Sequence, residues 1–495
     1  MTPISRSQSR ATRGPAARSR RALFALAASV SLTSMAALVA ACGTTGAVGD
    51  AAVVAITSAD AADIAGDATG DVTGDATGDD TSVVLASSTD LDLGGVGSLD
   101  STVVHEISIT FDESAYDAMI AAYQETGDKE WIEATVTIDG VTYEQVGLRL
   151  KGNSSLFGLN SANGSSADDP ASLPWLIKLD EYVDDQSLDG LTELVVRSNS
   201  TETALNEAVA LELLDAAGLA SQDAIAASFS INGTDAVLRL VIDNPDDTWM
   251  DEEFGGSGAL YKAESSGDYS YRGDDAAAYD EVFDQEAGKD VTDLTPLIEF
   301  LDFVNNSDDA TLAAELSDHL DIDAFATYLA YQQLIDNMDD IDGPGNNSYL
   351  HYDLETQSFT VVSWDLNLAF GTANVGQDGA DGAGGAGGAG GAGGAGGDGM
   401  PQGMEPPSGG MGGGMGGGMG GGPGMGTSNV LVERFLAVDE WQALVDATVV
   451  ELQSALYDSG LAAEVIDTWS AIVSSSGLVD DATVASEAAA ISEAF

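Results

Sequence analysis

Positive charge is the scarcest material in this chain: 16 Lys and Arg stand against 82 Asp and Glu in 495 residues. Six of the sixteen (Arg6, Arg10, Arg13, Arg18, Arg20 and Arg21) lie before residue 22, in a stretch that carries no acid. Only ten basic residues remain for all 82 acids. So acidic a surface repels phosphate backbones and anionic lipid, which argues against nucleic-acid binding and against docking on a membrane by charge. It also keeps an exported chain soluble. Scarcity makes placement informative. Seven cations (Arg149, Lys151, Lys178, Arg197, Arg239, Lys262 and Arg272) fall between residues 149 and 272. Some are expected to pair with buried acids, and others to face a bound anion. The single Cys and three distant His (His105, His319, His351) leave no disulfide framework and speak against a Cys/His zinc site.

Residues 1–41 read as a signal sequence: an Arg-rich start ending at Arg20-Arg21, then an apolar, small-residue run from Ala22 to Ala41. The sequence Leu38-Val39-Ala40-Ala41-Cys42-Gly43 resembles a bacterial lipobox, in which Cys42 is lipidated and becomes the new N-terminus. Ordinary cleavage after Ala41, leaving a free thiol, is the alternative. Several acyl chains burying methylenes at ~0.8 kcal/mol each make a stable anchor. Residues 42–100 hold no aromatic and no basic residue and contain a period-four Gly-Asp tract, so they read as a disordered acidic tether.

From 101 the pattern becomes that of a folded domain, 101–375. Val103–Thr110 alternates as a strand, and Ala115–Tyr123 reads as a helix. Ala134–Ile138 and Val141–Leu150 form a hairpin around Asp139-Gly140. Strands are expected over 173–179 and 190–196, and an amphipathic helix over 203–217, stopped by Gly218. A further hairpin centres on Asn232-Gly233. Helices follow over 294–305, 310–320 and 322–335, then a hairpin of 348–352 with 359–370. This order predicts an α+β fold of two lobes, β-rich then mainly helical, with a cleft between. Residues 376–426 are almost pure Gly/Ala and Gly/Met and read as a disordered insertion. Its methionines are either adaptable contacts or soft Cu(I) ligands. Residues 427–495 return to helix and read as the C-terminal helical part of the same folded domain.

Two groups of residues carry possible chemistry. Arg149 and Lys151 lie two apart on one strand face, running into the turn Gly152-Asn153-Ser154-Ser155, whose N–H groups suit an anion. Lys178 sits in an apolar strand; it is either an edge residue or an ammonium that grips phosphates, and Glu207 on the next helix is placed to fix it. Downstream, Asp339, Asn347 and Asp365 bring hard oxygen ligands into one loop-hairpin unit, which suits Mg²⁺, Mn²⁺ or Ca²⁺. The same residues also read as helix caps and turn formers. No Gly-x-x-x-x-Gly-Lys-Ser/Thr loop and no Gly-x-Ser-x-Gly elbow occurs, and an EF-hand is excluded by Met338 and Tyr349 at its first and last ligand positions.

The order of these pieces over 101–372 resembles the spore coat protein H (CotH) group of secreted atypical protein kinases. The pieces are Gly147–Ser155, Trp175–Asp180, Leu205–Gly218, Leu260-Tyr261-Lys262, Asn337-Met338-Asp339 with Asn347–Leu350, and Trp364–Gly371. The resemblance implies an atypical kinase-like fold and ATP-dependent phosphoryl transfer, which rests on positioning and charge neutralisation. In that frame Lys178, held by Glu207, grips the α/β-phosphates, and Arg149 and Lys151 add positive charge. Asp365 and Asn347 hold the metal, and Asp339 takes the proton of the attacking hydroxyl. The implied protein is exported, lipid-anchored and faces away from the cytoplasm, with a protein acceptor at Ser/Thr. Asp340 stands where the family often has a basic residue, and Asp243-Asn244 where a Glu is usual in the hinge. The alternative is a pseudokinase serving as a non-catalytic surface module.

Overall fold

A computed structural model describes residues 91, 93–153, 155–156, 159, 167–265, 267–343, 346–372 and 429–495. The leader, Cys42, most of the tether and the Gly/Met-rich stretch 376–426 lie outside the described residues. The chain enters the fold earlier than the composition implies. Residues 93–100, assigned above to the tether, carry a small ribbon, β1 (Gly95–Val96) against β2 (Leu99–Asp100). Leu93, Val96 and Leu99 are buried, and Ser101 Oγ donates to the Ala224 carbonyl at 2.5 Å, so apolar burial and one long-range bond tie the ribbon down.

Seven strands follow: β3 (His105–Phe111), β4 (Ile132–Ile138), β5 (Val141–Leu150), β6 (Trp175–Lys178), β7 (Glu193–Val196), β8 (Ala224–Ile231) and β9 (Val237–Asp243). They close into a barrel in the order β3-β4-β5-β6-β7-β9-β8. Closure comes from parallel pairing of β3 with β8, Ile107 opposite Phe229, a contact that hairpin patterns do not announce. Asp139 and Gly140 have φ of 47° and 81°, as the tight turn between β4 and β5 requires. The Asp139 carboxylate also accepts from Glu106 N (2.9 Å) and meets His105 Nδ1 (2.6 Å). Helix α1 (Glu113–Thr126) starts at Asp112, whose carboxylate accepts from Ser114 N and Ala115 N, and stops at Gly127 with φ 83°. Its Tyr116, Met119, Ile120 and Tyr123 join Leu148, Leu150, Trp175, Ile177, Leu194 and Val196 in the barrel's core.

Helix α2 (Leu205–Ala216) lies between β7 and β8. It was expected to bury one face; instead it is buried on nearly all sides, Asn206 and Glu207 included. An apolar helix of this kind belongs inside a protein. Three elements, one helix and two strands, are not announced by the sequence pattern. Helix α3 (Asp247–Phe254) is held by its own caps, the Asp246 carboxylate at its start and Gly255 (φ 66°) at its end. Strands β10 (Gly258–Ala263) and β11 (Phe283–Ala287) join β12 (Ser348–Asp353) and β13 (Ser358–Ser363) in a second sheet ordered β11-β10-β12-β13. β13 ends at Ser363, short of the expected Phe370, because Asp365 adopts φ 59° and turns the chain into a single 3₁₀ turn, Leu366–Leu368.

The remaining helices are α4 (Thr295–Asn306), α5 (Asp309–Glu315), α6 (Ile322–Leu334), α7 (Val430–Leu436), α8 (Asp439–Leu452), α9 (Leu461–Ser475) and α10 (Asp481–Ser492). α6 and α8 pack together, with Phe435 between Phe325 (4.8 Å) and Trp441 (4.9 Å). The fold is thus mixed α+β, with a closed barrel, a separate four-stranded sheet and a set of helices.

Candidate active site

Strand register builds one half of the site. Across β5, β6, β7 and β9, Arg149, Leu176, Val195 and Ile242 stand directly opposite one another. The neighbouring row holds Gly147, Lys178 and Glu193. Alternation then sets Arg149, Lys151, Lys178, Glu193 and Arg197 on the outer face of the barrel, with Leu148, Leu150, Trp175, Ile177, Leu194 and Val196 inside. Leu176, Val195 and Ile242 on the outer face are each 1% exposed, so this face is largely covered by the rest of the molecule; Arg197 is buried there, and Arg149, Lys151 and Lys178 are partly buried.

The cations divide into two groups. Lys178 Nζ bonds Glu193 Oε1 at 2.5 Å, Glu193 Oε2 accepts from Asn244 Nδ2 at 2.7 Å, and Asn244 Oδ1 accepts from Lys151 Nζ at 2.5 Å. Lys151 also lies over the Trp364 ring (5.3 Å), and Arg149 over Trp131 (4.9 Å). Burial pulls the Lys151 ammonium down to about 8; Glu286 opposes this, while Lys262 and Arg149 add to it. Burial also pulls Lys178 down, but the bond and charge of Glu193 outweigh it, and the net shift is upward.

The expected Lys178–Glu207 pair is not formed. Glu193 lies directly across the strand from Lys178, and Glu207 is taken by another cation. That cation is Arg197, just past the end of β7. Its Nη2 is 2.7 Å from Glu207 Oε1 and also bonds Asp365 Oδ1. Burial disfavours its charge, yet Asp365 and Glu207 together raise its pKa above the usual value. Burial pushes the Glu207 carboxyl upward, against the Arg197 charge. Trp364 covers Arg197 as well, at 5.4 Å. The signal for Arg197 was present in the sequence: a lone cation closing the apolar run Leu194-Val195-Val196 in a chain almost without cations.

The hairpin β12–β13 supplies the other half. Ser348 pairs with Ser363, so Asn347 and the Trp364-Asp365 turn emerge at the same end of the sheet. Asn347 Nδ2 donates to the Asp339 carbonyl (2.8 Å) and to Asp339 Oδ2 (3.0 Å). Asp339 N in turn approaches Asn337 Oδ1 at 3.4 Å, and Asn337 is anchored through Nδ2 to Gln332 Oε1 at 2.8 Å. The structure therefore joins Asn347 to Asp339 and Asp365 to Arg197 and Glu207. Among the described residues no three His, Cys, Asp or Glu side chains converge as a metal cage. One carboxylate and one amide oxygen still suit a hard cation that arrives on phosphates, since Mg²⁺ is usually held by one or two carboxylates plus phosphate oxygens and water.

A family model described as CotH kinase protein matches residues 148–493. The chain belongs to the CotH kinase family. No curated protein matches it. The match begins in β5 and runs through α10, so it takes in the motifs from Leu148 to Gly371 and also the helices beyond the Gly/Met-rich stretch. Asp340 and the pair Asp243-Asn244 are each drawn into the structure. Burial pushes the Asp340 carboxyl up to about 6, and that carboxyl accepts from Asp342 N at 3.0 Å. In the hinge, Asp243 turns to the barrel side opposite Leu194, where burial, with Asp223 and Glu253 nearby, raises its pKa well above the usual range. Asn244 turns outward and bridges Lys151 to Glu193.

Proposed function

We propose that this protein is an exported, lipid-anchored kinase that transfers the γ-phosphoryl group of ATP to Ser/Thr hydroxyls of itself or of neighbouring surface proteins. The proposed arrangement is two-lobed: the barrel as the nucleotide-side lobe, the helices and the second sheet as the other. Residues 1–41 would direct export, and Cys42 would carry the lipid. The observation that carries the reading is Arg197, held between Glu207 and Asp365. A buried cation tied at once to the helix and to the carboxylate beyond β13 aligns the two halves of a phosphoryl-transfer site.

In this reading Lys151, Arg149 and Lys178 offer positive charge to the phosphates from the barrel's outer face. Asp365 and Asn347 hold a divalent metal, which when bound neutralises charge on the β- and γ-phosphates. Asp339 accepts the proton of the attacking hydroxyl, and Asn347 orients its carboxylate. The acceptor oxygen is joined to phosphorus as the bond from phosphorus to the β-bridging oxygen breaks, and ADP leaves with that electron pair.

The pseudokinase reading has one observation in its favour: the Asp365 carboxylate is already neutralised by Arg197. The test separates the two. With the full chain, γ-labelled ATP and Mg²⁺, Mn²⁺ or Ca²⁺, we expect metal-dependent label on the protein or an added acceptor, abolished in Asp365→Ala. No label with any metal, together with no rise in Tm on adding ATP, would establish the non-catalytic module.

A further inference from the structure

We infer that Glu487 on α10 is a positioning residue that clamps residues 202–203, the segment entering α2, and thereby sets Glu207 and Asn206 against the Asp365 turn. The inference rests on the kinase reading for its catalytic consequence, and on geometry alone for the clamp.

α2 begins without a side-chain cap of its own: Ala204, at the N-cap, has φ 55° and offers no acceptor. A helix start leaves N–H groups unsatisfied and needs an outside partner. Here the support comes from 285 residues away: it holds the two residues before the N-cap directly and reaches the helix itself only at Leu205 N, through Thr203. Glu487 Oε1 accepts from Glu202 N at 3.0 Å, and Oε2 accepts from Thr203 N at 3.1 Å. The Thr203 hydroxyl donates to the same Oε2 and accepts from Leu205 N at 3.1 Å, so it relays the carboxylate to the first residue of the helix. Thr203 is buried, where charge-assisted bonds of this kind are strong and costly to leave unmade. α9 and α10 both pack along α2.

The segment so held leads into the helix turn that meets the site. The second residue of that helix turn, Asn206, donates through Nδ2 to the Asn367 carbonyl at 2.5 Å, in the turn after Asp365. Its third, Glu207, holds Arg197, and Arg197 holds Asp365. One carboxylate on the far side of the Gly/Met-rich stretch therefore holds the segment leading into the helix turn from which both contacts to the Asp365 segment depart.

The test is hydrogen exchange by mass spectrometry on the full chain, with steady-state transfer measured alongside. In Glu487→Ala, amides over 202–207 are expected to exchange about tenfold faster, the change that losing roughly one charge-assisted bond produces. Amides over 366–371 should loosen with them, and kcat should fall while KM for ATP stays within about twofold. Glu487→Gln, which keeps an acceptor oxygen, should recover part of each effect. Unchanged exchange over 202–207 in a folded Glu487→Ala protein overturns the clamp. Faster exchange there, with 366–371 and kcat both unchanged, reduces Glu487 to a local cap and overturns the positioning role. If the parent itself transfers no phosphate, the kinase reading fails; exchange over 202–207 still decides the clamp, and exchange over 366–371 alone then decides the positioning role. Should Glu487→Ala not fold, Thr203→Val removes only the hydroxyl relay and is read in the same way.

Discussion

The outer face of the barrel carries two cation–carboxylate arrangements only a few residues apart, and they differ in kind. Lys178 and Glu193 face each other across β6 and β7, and the Lys178 side chain is 30% exposed. Arg197 has a side chain 10% exposed, and it binds two carboxylates that come from a helix and from the turn after β13. The first is a pair within one sheet, which water can largely replace. The second joins three elements and has no such substitute. An exposed pair contributes about 1 kcal/mol or less, whereas breaking a buried one by removing a single partner costs about 3–5 kcal/mol; Lys178 and Glu193, 30% and 12% exposed, lie nearer the first limit than Arg197 and Glu207, 10% and 3% exposed. By this measure Arg197, and not Lys178, is the cation on which the site's geometry depends.

The largest effect expected from this contrast is at Arg197. Arg197→Met leaves Glu207 and Asp365 facing each other without the charge between them. Stability should fall by about 3–5 kcal/mol in chemical denaturation, and transfer should be lost. Arg197→Lys keeps the charge but cannot reach both carboxylates with a planar fork, so it should fold better and still transfer poorly. An Arg197→Lys protein with parental kcat would remove the distinction drawn here.

Lys151 gives a smaller effect, read through pH. Its folded pKa of about 8 lies below the ordinary lysine value near 10.4. Between these two values the unfolded chain binds more protons than the folded one, so folding stability should rise as pH increases from about 8 towards 10. Affinity for ATP should move the other way, since the ammonium that faces the phosphates is being lost. It should weaken by up to about tenfold per pH unit above 8. Calorimetric titration of ATP between pH 7 and 9.5 checks this. Lys151→Met should flatten both profiles; an unchanged affinity profile in that variant would take Lys151 out of the phosphate site.

The two arrangements also differ in how well sequence exposed them. Local patterns were legible: the β4–β5 hairpin follows from alternation and Asp139-Gly140, and α1 from Asp112 and Gly127. The β12–β13 hairpin sets Asn347 and the Trp364-Asp365 turn at the same end of its sheet, a placement that chain order alone makes readable. What lay hidden was non-local. The parallel β3–β8 pairing that closes the barrel spans more than a hundred residues, and no short motif encodes it. Glu207 was assigned to Lys178 because chain order shows which residues precede a helix, not which strand that helix covers. The true neighbour of Lys178 sits 15 residues on, in a strand whose register with β6 only pairing reveals.

The smallest effect, at Lys178, tests the contrast from its other side. If the Lys178–Glu193 pair is a partly solvated cross-strand contact, Lys178→Ala should cost at most about 1 kcal/mol of stability. Glu193 would stay tied through Asn244 to Lys151, so the face keeps most of its order. Losing one of several phosphate-facing charges should raise KM for ATP several-fold and lower kcat less, the mark of binding shared by ground and transition states. Should Lys178→Ala instead abolish transfer while Arg197→Lys remains active, the roles would be reversed. Lys178 would then swing from Glu193 to the phosphates on nucleotide binding, and the buried Arg197 triad would be a structural brace. A reversed result would also predict that Glu193→Gln, which frees Lys178, lowers KM for ATP, whereas the present reading expects Glu193→Gln to raise it by loosening both Lys178 and Lys151.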